Sequence, residues 1–122
     1  MPTIEDQASA VVQRQLDYYN QHDLEQLLSL FANDAQIVDG WTGQLLAQGL
    51  DDIRSRYERR FQFPVHGELL KRHAFGNTVT DREIITGLPE GDVPCRAKYT
   101  VDLPTAKITK CVLFWGSPPD AS

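Results

Sequence analysis

Several things are scarce or missing in this sequence, and each shortage excludes something. The only two cysteines in 122 residues, Cys95 and Cys111, form no CxxC pair and have no histidine at ligand spacing. That removes a zinc ribbon or a disulfide framework as the organising device. No apolar run approaches the roughly 20 residues that cross a bilayer. The chain opens without a basic stretch followed by an apolar one, so a cytoplasmic protein is expected. Basic residues are outnumbered 12 to 17 by acidic ones, for a net charge of −5. A nucleic-acid or anionic-membrane surface needs clustered Lys and Arg, so neither partner is expected. The one arginine-rich segment, Arg54, Arg56, Arg59 and Arg60, is interleaved with Asp51, Asp52 and Glu58 and reads as a solvated helix face with local ion pairs. There is no glycine-rich phosphate loop, and no cofactor or metal is expected.

What remains is an ordinary globular composition, 41% hydrophobic and 24% charged, in a chain with room for one core. Residues 1–122 are expected to form a single domain, with 116–122 as a disordered tail rich in proline and small residues. Thr3 caps a helix over roughly residues 4–20, in which Ile4, Ala8, Val11, Val12, Leu16 and Tyr19 recur at helical spacing. Asp23, with Gln26 three residues on, caps a second helix carrying Leu24, Leu27, Leu28 and Phe31 and ending at Asn33-Asp34. A short strand follows from Ala35 to Asp39, then a loop with a small strand to Gly49. Asp51 caps a third helix with Ile53, Tyr57 and Phe61 on one side, and Pro64 stops it. From Glu68 onward the period changes from 3.6 to 2. Strands at about 66–75 and 78–87 flank Gly76-Asn77, and strands at about 94–103 and 106–115 flank Pro104-Thr105. Helices first and sheet after indicate α+β with antiparallel strands rather than alternating βαβ units.

A two-residue turn at Gly76-Asn77 pairs Arg72 with Asp81, Ala74 with Val79 and Leu70 with Glu83, all on one face with Ile85. Pointing inward, that face holds a desolvated Arg72–Asp81 pair beside Glu83. Pointing outward, the pair is a surface or dimer contact worth about 0–1 kcal/mol. A tight turn at Pro104-Thr105 puts Cys95, Ala97, Tyr99, Val101, Ile108, Val112 and Phe114 on an apolar face. Arg96, Lys98, Thr100, Thr109, Cys111, Leu113 and Trp115 take the other, a candidate two-fold homodimer contact. Cys95 and Cys111 then fall on opposite faces, against a disulfide between them.

The stretch Ala10-Val11-Val12-Gln13-Arg14, then Asn20 with Asp23-Leu24, then Leu30-Phe31-Ala32-x-Asp34-Ala35-x-x-Val38 resembles the opening of a bacterial ketosteroid isomerase. Arg72, then Gly76-Asn77-x-Val79-x-Asp81-x-Glu83, resembles the SnoaL-like branch of the same nuclear transport factor 2-like superfamily. The resemblance spans roughly residues 8–115. It implies a cone-shaped α+β domain of three N-terminal helices packed on a curved, mainly antiparallel sheet around a pocket for a small, partly apolar organic molecule. In the isomerases a strand aspartate moves a proton beside a ketone, while a tyrosine and a protonated aspartic acid donate hydrogen bonds to the enolate. The resemblance puts the base at Asp39, the tyrosine position at Gln15 and the acid near Tyr99. The base is kept and both donors are changed, although an amide and a phenol still carry N–H and O–H groups.

Each candidate also has a plainer role. Asp39 before Gly40 is a common turn opener. Gln15 in an apolar stripe needs a partner, ligand or protein. Tyr18 and Tyr19 diverge by about 100° on a helix, so only one faces inward. Trp41 walls the pocket mouth or packs a dimer or lid, and Tyr57 is an inward aromatic of the third helix. Three functions compete. The first is an isomerase, cyclase or lyase-type enzyme with Asp39 as general base, supported by Gln15, Tyr19, Trp41, Tyr57, Arg72, Asp81, Glu83 and Tyr99. The second is a non-catalytic small-ligand module, and the third a dimerising scaffold.

Overall fold

The computed structural model describes residues 1–118, so part of the expected tail, residues 119–122, lies outside the described residues. Helix α1 runs Ile4–Gln21 behind a complete capping box, in which Thr3 and Asp6 each bond the other's backbone N–H. It ends where His22 turns left-handed, with φ 55°. Helix α2 is only Leu24–Leu28, capped by the Asp23 carboxylate. This corrects the longer second helix expected to Asn33-Asp34. Phe31 opens strand β1, Phe31–Asp39, because its backbone finds a partner in Ile108 across the sheet. Strand β2, Leu45–Gln48, leads directly into α3, Gly49–Arg60, two residues before the expected cap at Asp51. There the Asp52 carboxylate accepts from the Gln48 N–H at 3.0 Å. Strands β3 (His66–Phe75), β4 (Thr78–Thr86), β5 (Val93–Asp102) and β6 (Lys107–Trp115) complete one sheet, in the order β2-β1-β6-β5-β4-β3. Only the β1–β6 pairing is parallel; the others are antiparallel. This is the α+β architecture the sequence implies, helices packed on a curved, mainly antiparallel sheet.

The core lies between the helices and the inner sheet face. Ala8, Val11 and Val12 of α1, Leu27 and Leu28 of α2 and Ile53 of α3 are buried against Ile37, Val79, Val101 and Ile108. Asn20 locks α1 to β3 with a reciprocal pair of hydrogen bonds, donating to the Gly67 carbonyl at 3.0 Å and accepting from its N–H at 2.7 Å.

Two β-bulges decide which side chains reach the interior. Near Gly76-Asn77 the register is the expected one, with Arg72 opposite Asp81 and Ala74 opposite Val79. Farther along, Leu69 rather than Leu70 faces Glu83, because Leu70 is the extra residue of a bulge and is 51% exposed. The expectation that Leu70 shares the inner face is therefore corrected. The second bulge falls at Thr109, between the pairs Val101–Ile108 and Thr100–Lys110. Beyond it the parity of β6 reverses. Cys111, Leu113 and Trp115 turn inward, while Val112 and Phe114 turn outward, the opposite of the expected faces. Cys95 and Cys111 thus share the inner face, also contrary to expectation, and both thiols are free. Cys111 pairs with Tyr99 and Cys95 with Trp115, four residues apart along the strand. That separation is roughly 13 Å, far beyond disulfide reach.

Candidate active site

Between α1, α3 and the inner faces of β4, β5 and β6 lies a hollow with its mouth beside α3. Its empty volume is about 500 Å³, counted out through the open mouth. Helix α1 contributes the adjacent residues Gln15 and Leu16 and, one turn on from both, Tyr19, all on its buried side. Helix α3 contributes Arg56, Tyr57 and Arg60, and the strands contribute Glu83, Ile85, Cys95, Tyr99, Leu113 and Trp115.

Glu83 is the only carboxylate in this lining. It is 7% exposed, and none of the hydrogen bonds among the described residues involves its carboxyl group. Among the described residues no side-chain oxygen is both fully buried and without a partner, so the Glu83 carboxyl group reaches open space, and Glu83 lines the hollow. Burial, and then the charge of Asp81 on the same face, push its pKa up to about 7, with Arg72 pulling the other way. A carboxyl group that gives and takes a proton near neutrality is suited to general acid–base work.

The phenols around it stay protonated. Burial pushes Tyr19 up to about 12 against the opposing pull of Arg60, and burial likewise raises Tyr57 and Tyr99. All three therefore present O–H donors. Tyr99 spends its proton on the Gln15 amide oxygen at 3.2 Å, linking the two positions at which the isomerase resemblance places the enolate donors. Burial raises the Cys95 thiol to about 12 and the Cys111 thiol higher still, so neither is a thiolate nucleophile.

The hollow thus brings together Gln15, Tyr19, Tyr57, Glu83 and Tyr99. Four other sequence candidates stand elsewhere. Asp39 is not in the lining, which corrects its expected place as pocket base. Its Oδ1 accepts from the Trp41 and Thr42 N–H groups at 2.8 and 3.3 Å, so the carboxylate closes the turn after β1. Trp41 lies over the outer sheet face, edge-on to Phe114, and donates its indole N–H to the Trp115 carbonyl at 3.1 Å. Arg72 and Asp81 form a fork-to-fork pair at 2.7 and 2.8 Å, with Gln13 accepting a third guanidinium bond. Asp81 is 1% exposed, so the pair is interior, behind Glu83 rather than in the hollow.

Sequence reasoning missed Arg56, Arg60, Leu113 and Trp115. Interleaved charges imply a surface paired within its own helix, yet Arg54 pairs with Glu25 of α2, and Arg56 and Arg60 open onto the hollow. The signal was present. Arg56 follows Ile53 and Arg60 follows Tyr57 by three residues, so both lie about 60° from the inward stripe.

A helical layer over a curved six-stranded sheet, closed around a small polar-and-aromatic hollow, defines the cone-shaped class of the nuclear transport factor 2-like superfamily. Within it the chain belongs to the SnoaL-like domain family, whose pattern matches residues 12–106. Solved structures with this fold include a presumed ketosteroid isomerase from Kribbella flavida, with a TM-score of 0.81 and 17% identity over 98% of this chain and 85% of that one. A cystatin-fold protein from Novosphingobium aromaticivorans gives 0.78 and 20%, over 93% and 98%. SalBIII, an epoxide hydrolase/cyclase-like enzyme of pyran-ring formation in the polyether salinomycin, gives 0.78 and 19%, over 89% and 90%. No curated protein sequence matches. Identities this low establish shared fold, not shared chemistry. No helix among the described residues is long and apolar enough to cross a membrane.

Proposed function

We propose that the hollow is the active site of a proton-transfer enzyme of isomerase, cyclase or lyase type, acting on a small, partly apolar organic molecule with Glu83 as its general base and acid. The observation that carries this is Glu83 itself: a buried carboxyl group that lines the hollow with no hydrogen bond among the described residues, its pKa pushed up to about 7 by burial. Such a group takes a proton from a carbon acid and returns it without leaving the site. Neutral phenols beside it supply hydrogen-bond donors where negative charge develops, and one such donor is typically worth 10²–10³ in rate. Only a proton moves between enzyme and substrate, so the reading requires no cofactor. Asp39, held in its turn, is replaced in this role.

The test is hydrogen–deuterium exchange in D2O, followed by proton NMR, on a panel of cyclic β,γ-unsaturated ketones and β-keto esters. Wild-type protein is expected to accelerate exchange of at least one compound over buffer, and Glu83→Gln to lower that rate by about 10²-fold or more. Equal rates for the two proteins would end the assignment.

A second reading, a non-catalytic ligand module, has one observation in its favour: Tyr99 and Gln15 satisfy each other, leaving fewer donors free for an enolate. It predicts a ligand that binds saturably and is recovered without exchange. We further propose a two-fold dimer through the outer sheet face, now centred on Val112 and Phe114 rather than on Leu113 and Trp115. A monomer by light scattering at micromolar concentration would refute it.

A further inference from the structure

Eight arginines lie in the chain, and four of them, Arg54, Arg56, Arg60 and Arg72, are half-buried. Two of these four are clamped by carboxylates: Arg54 by Glu25 through bonds of 2.6 and 3.1 Å, and Arg72 by Asp81. The other two, Arg56 and Arg60, have no ion pair among the described residues, and both line the hollow. They stand one helical turn apart on α3, so their side chains leave the same face of the helix. Glu90 lines the cleft outside the mouth with them but forms no salt bridge to either. Arg60 is laid over the Trp115 ring, its guanidinium carbon 4.4 Å from the ring centroid, which fixes its plane in advance. Burial disfavours the charge of Arg56, and nothing among the described residues answers it with a hydrogen-bonded anion. Glu83 forms no ion pair with either arginine. The same lining carries the apolar side chains Leu16, Ile85 and Leu113 alongside the phenols and Glu83.

We propose that Arg56 and Arg60 form a carboxylate-binding site at the mouth of the hollow, so that the ligand is a small organic monoacid whose anionic end stays at the mouth while its carbon frame enters toward Glu83. The guanidinium fork matches a carboxylate in two parallel hydrogen bonds, and a neutral amide or ester of the same shape forfeits the charge assistance. The inference rests on the hollow being the ligand site, but not on Glu83 doing chemistry.

The test uses phenylacetate and its neutral counterpart phenylacetamide, titrated calorimetrically at low and high salt. Phenylacetate is expected to bind at least tenfold more tightly, with the advantage shrinking as salt rises. Arg56→Gln and Arg60→Gln should each weaken phenylacetate about tenfold and leave phenylacetamide unchanged, so the amide reports that the hollow is intact. Arg59→Gln, an exposed change on the same helix, should stay within about twofold. Equal affinity for acid and amide, absence of saturable acid binding, or an acid preference that survives in the Arg56→Gln/Arg60→Gln double variant would each overturn the proposal. The two readings fail separately. Glu83→Gln abolishing exchange while acid and amide bind alike removes the ligand class alone. A preserved acid preference with undiminished exchange in Glu83→Gln removes only the catalytic role.

Discussion

Strand β4 carries two buried carboxylates, Asp81 and Glu83, two residues apart on one face and treated in opposite ways. Asp81 receives two short charge-assisted bonds from Arg72, whose pKa is raised chiefly by that hydrogen bonding. Glu83 receives none and has its pKa raised by burial. The difference arises in position along the strand. Arg72 lies directly across from Asp81, whereas Glu83 faces Leu69, as it would face Leu70 without the bulge, and has no basic neighbour across the strand pair. A paired buried charge holds structure together, and an unpaired one is a strained group that a reaction can use. The contrast would collapse if both carboxylates behaved alike under mutation.

The largest expected effect comes from breaking the clamp. Arg72→Met leaves Asp81 buried without a cation and should cost about 3–5 kcal/mol in urea unfolding. A loss below about 1 kcal/mol would reduce the pair to the standing of a surface contact. Removing the other charge should act in the opposite direction. Folded Glu83 holds its proton up to about pH 7, against an ordinary value of 4.5. Between those values the folded state binds the extra proton, so stability falls as pH rises through the window and levels off above it. Glu83→Gln cannot ionise. It should therefore be more stable than wild type by about 3 kcal/mol at pH 8, with the gain vanishing near pH 4. Parallel stability–pH curves for the two proteins would show that Glu83 titrates normally. Coexistence of this gain with loss of exchange would mark a residue kept for function at a cost in stability.

Next in size is a probe of burial alone. A methyl group added at Gly67 would sit 3.1 Å from Leu16 Cδ1 and 3.3 Å from Glu83 Oε1. Both neighbours are flexible tips that yield by tenths of an ångström, so Gly67→Ala should cost about 1 kcal/mol. It should also dry the carboxyl group further and move its NMR titration midpoint upward. A midpoint that stays put or falls would mean that charge rather than desolvation sets the value.

The sequence disclosed the fold and five of the side chains that line the hollow, Gln15, Tyr19, Tyr57, Glu83 and Tyr99, and the bulges account for much of the rest. Alternation fixed the pairs next to the turns, Arg72 with Asp81 and Val101 with Ile108. It failed beyond Leu70 and Thr109, because one inserted residue reverses every later side chain. In β3 the doublet Leu69-Leu70 hinted at the parity change. In β6 the run Cys111 to Trp115 is apolar at every position, so alternation could not show which residues face the hollow. Family resemblance pointed to Asp39 by counting along a matched segment. Counting cannot see that two backbone N–H groups of the following turn hold its carboxylate.

The smallest effect is therefore the most discriminating for the choice of base. In Asp39→Asn the side-chain oxygen can still accept from Trp41 and Thr42, so only the charge assistance of two partly exposed hydrogen bonds is lost. Stability should change by about 0.5 kcal/mol or less. Exchange of the ketone panel should stay within about twofold of wild type, because Asp39 is not among the residues that line the hollow and its carboxylate is bonded to the turn. Asp39→Ala removes the acceptor as well and should cost about 1 kcal/mol while leaving exchange equally untouched. If Asp39→Asn folded normally and lost exchange while Glu83→Gln kept it, the roles drawn here would be reversed. The turn would then have to open in the working protein and deliver Asp39 to the substrate, and β4 would carry two structural carboxylates instead of one structural and one chemical.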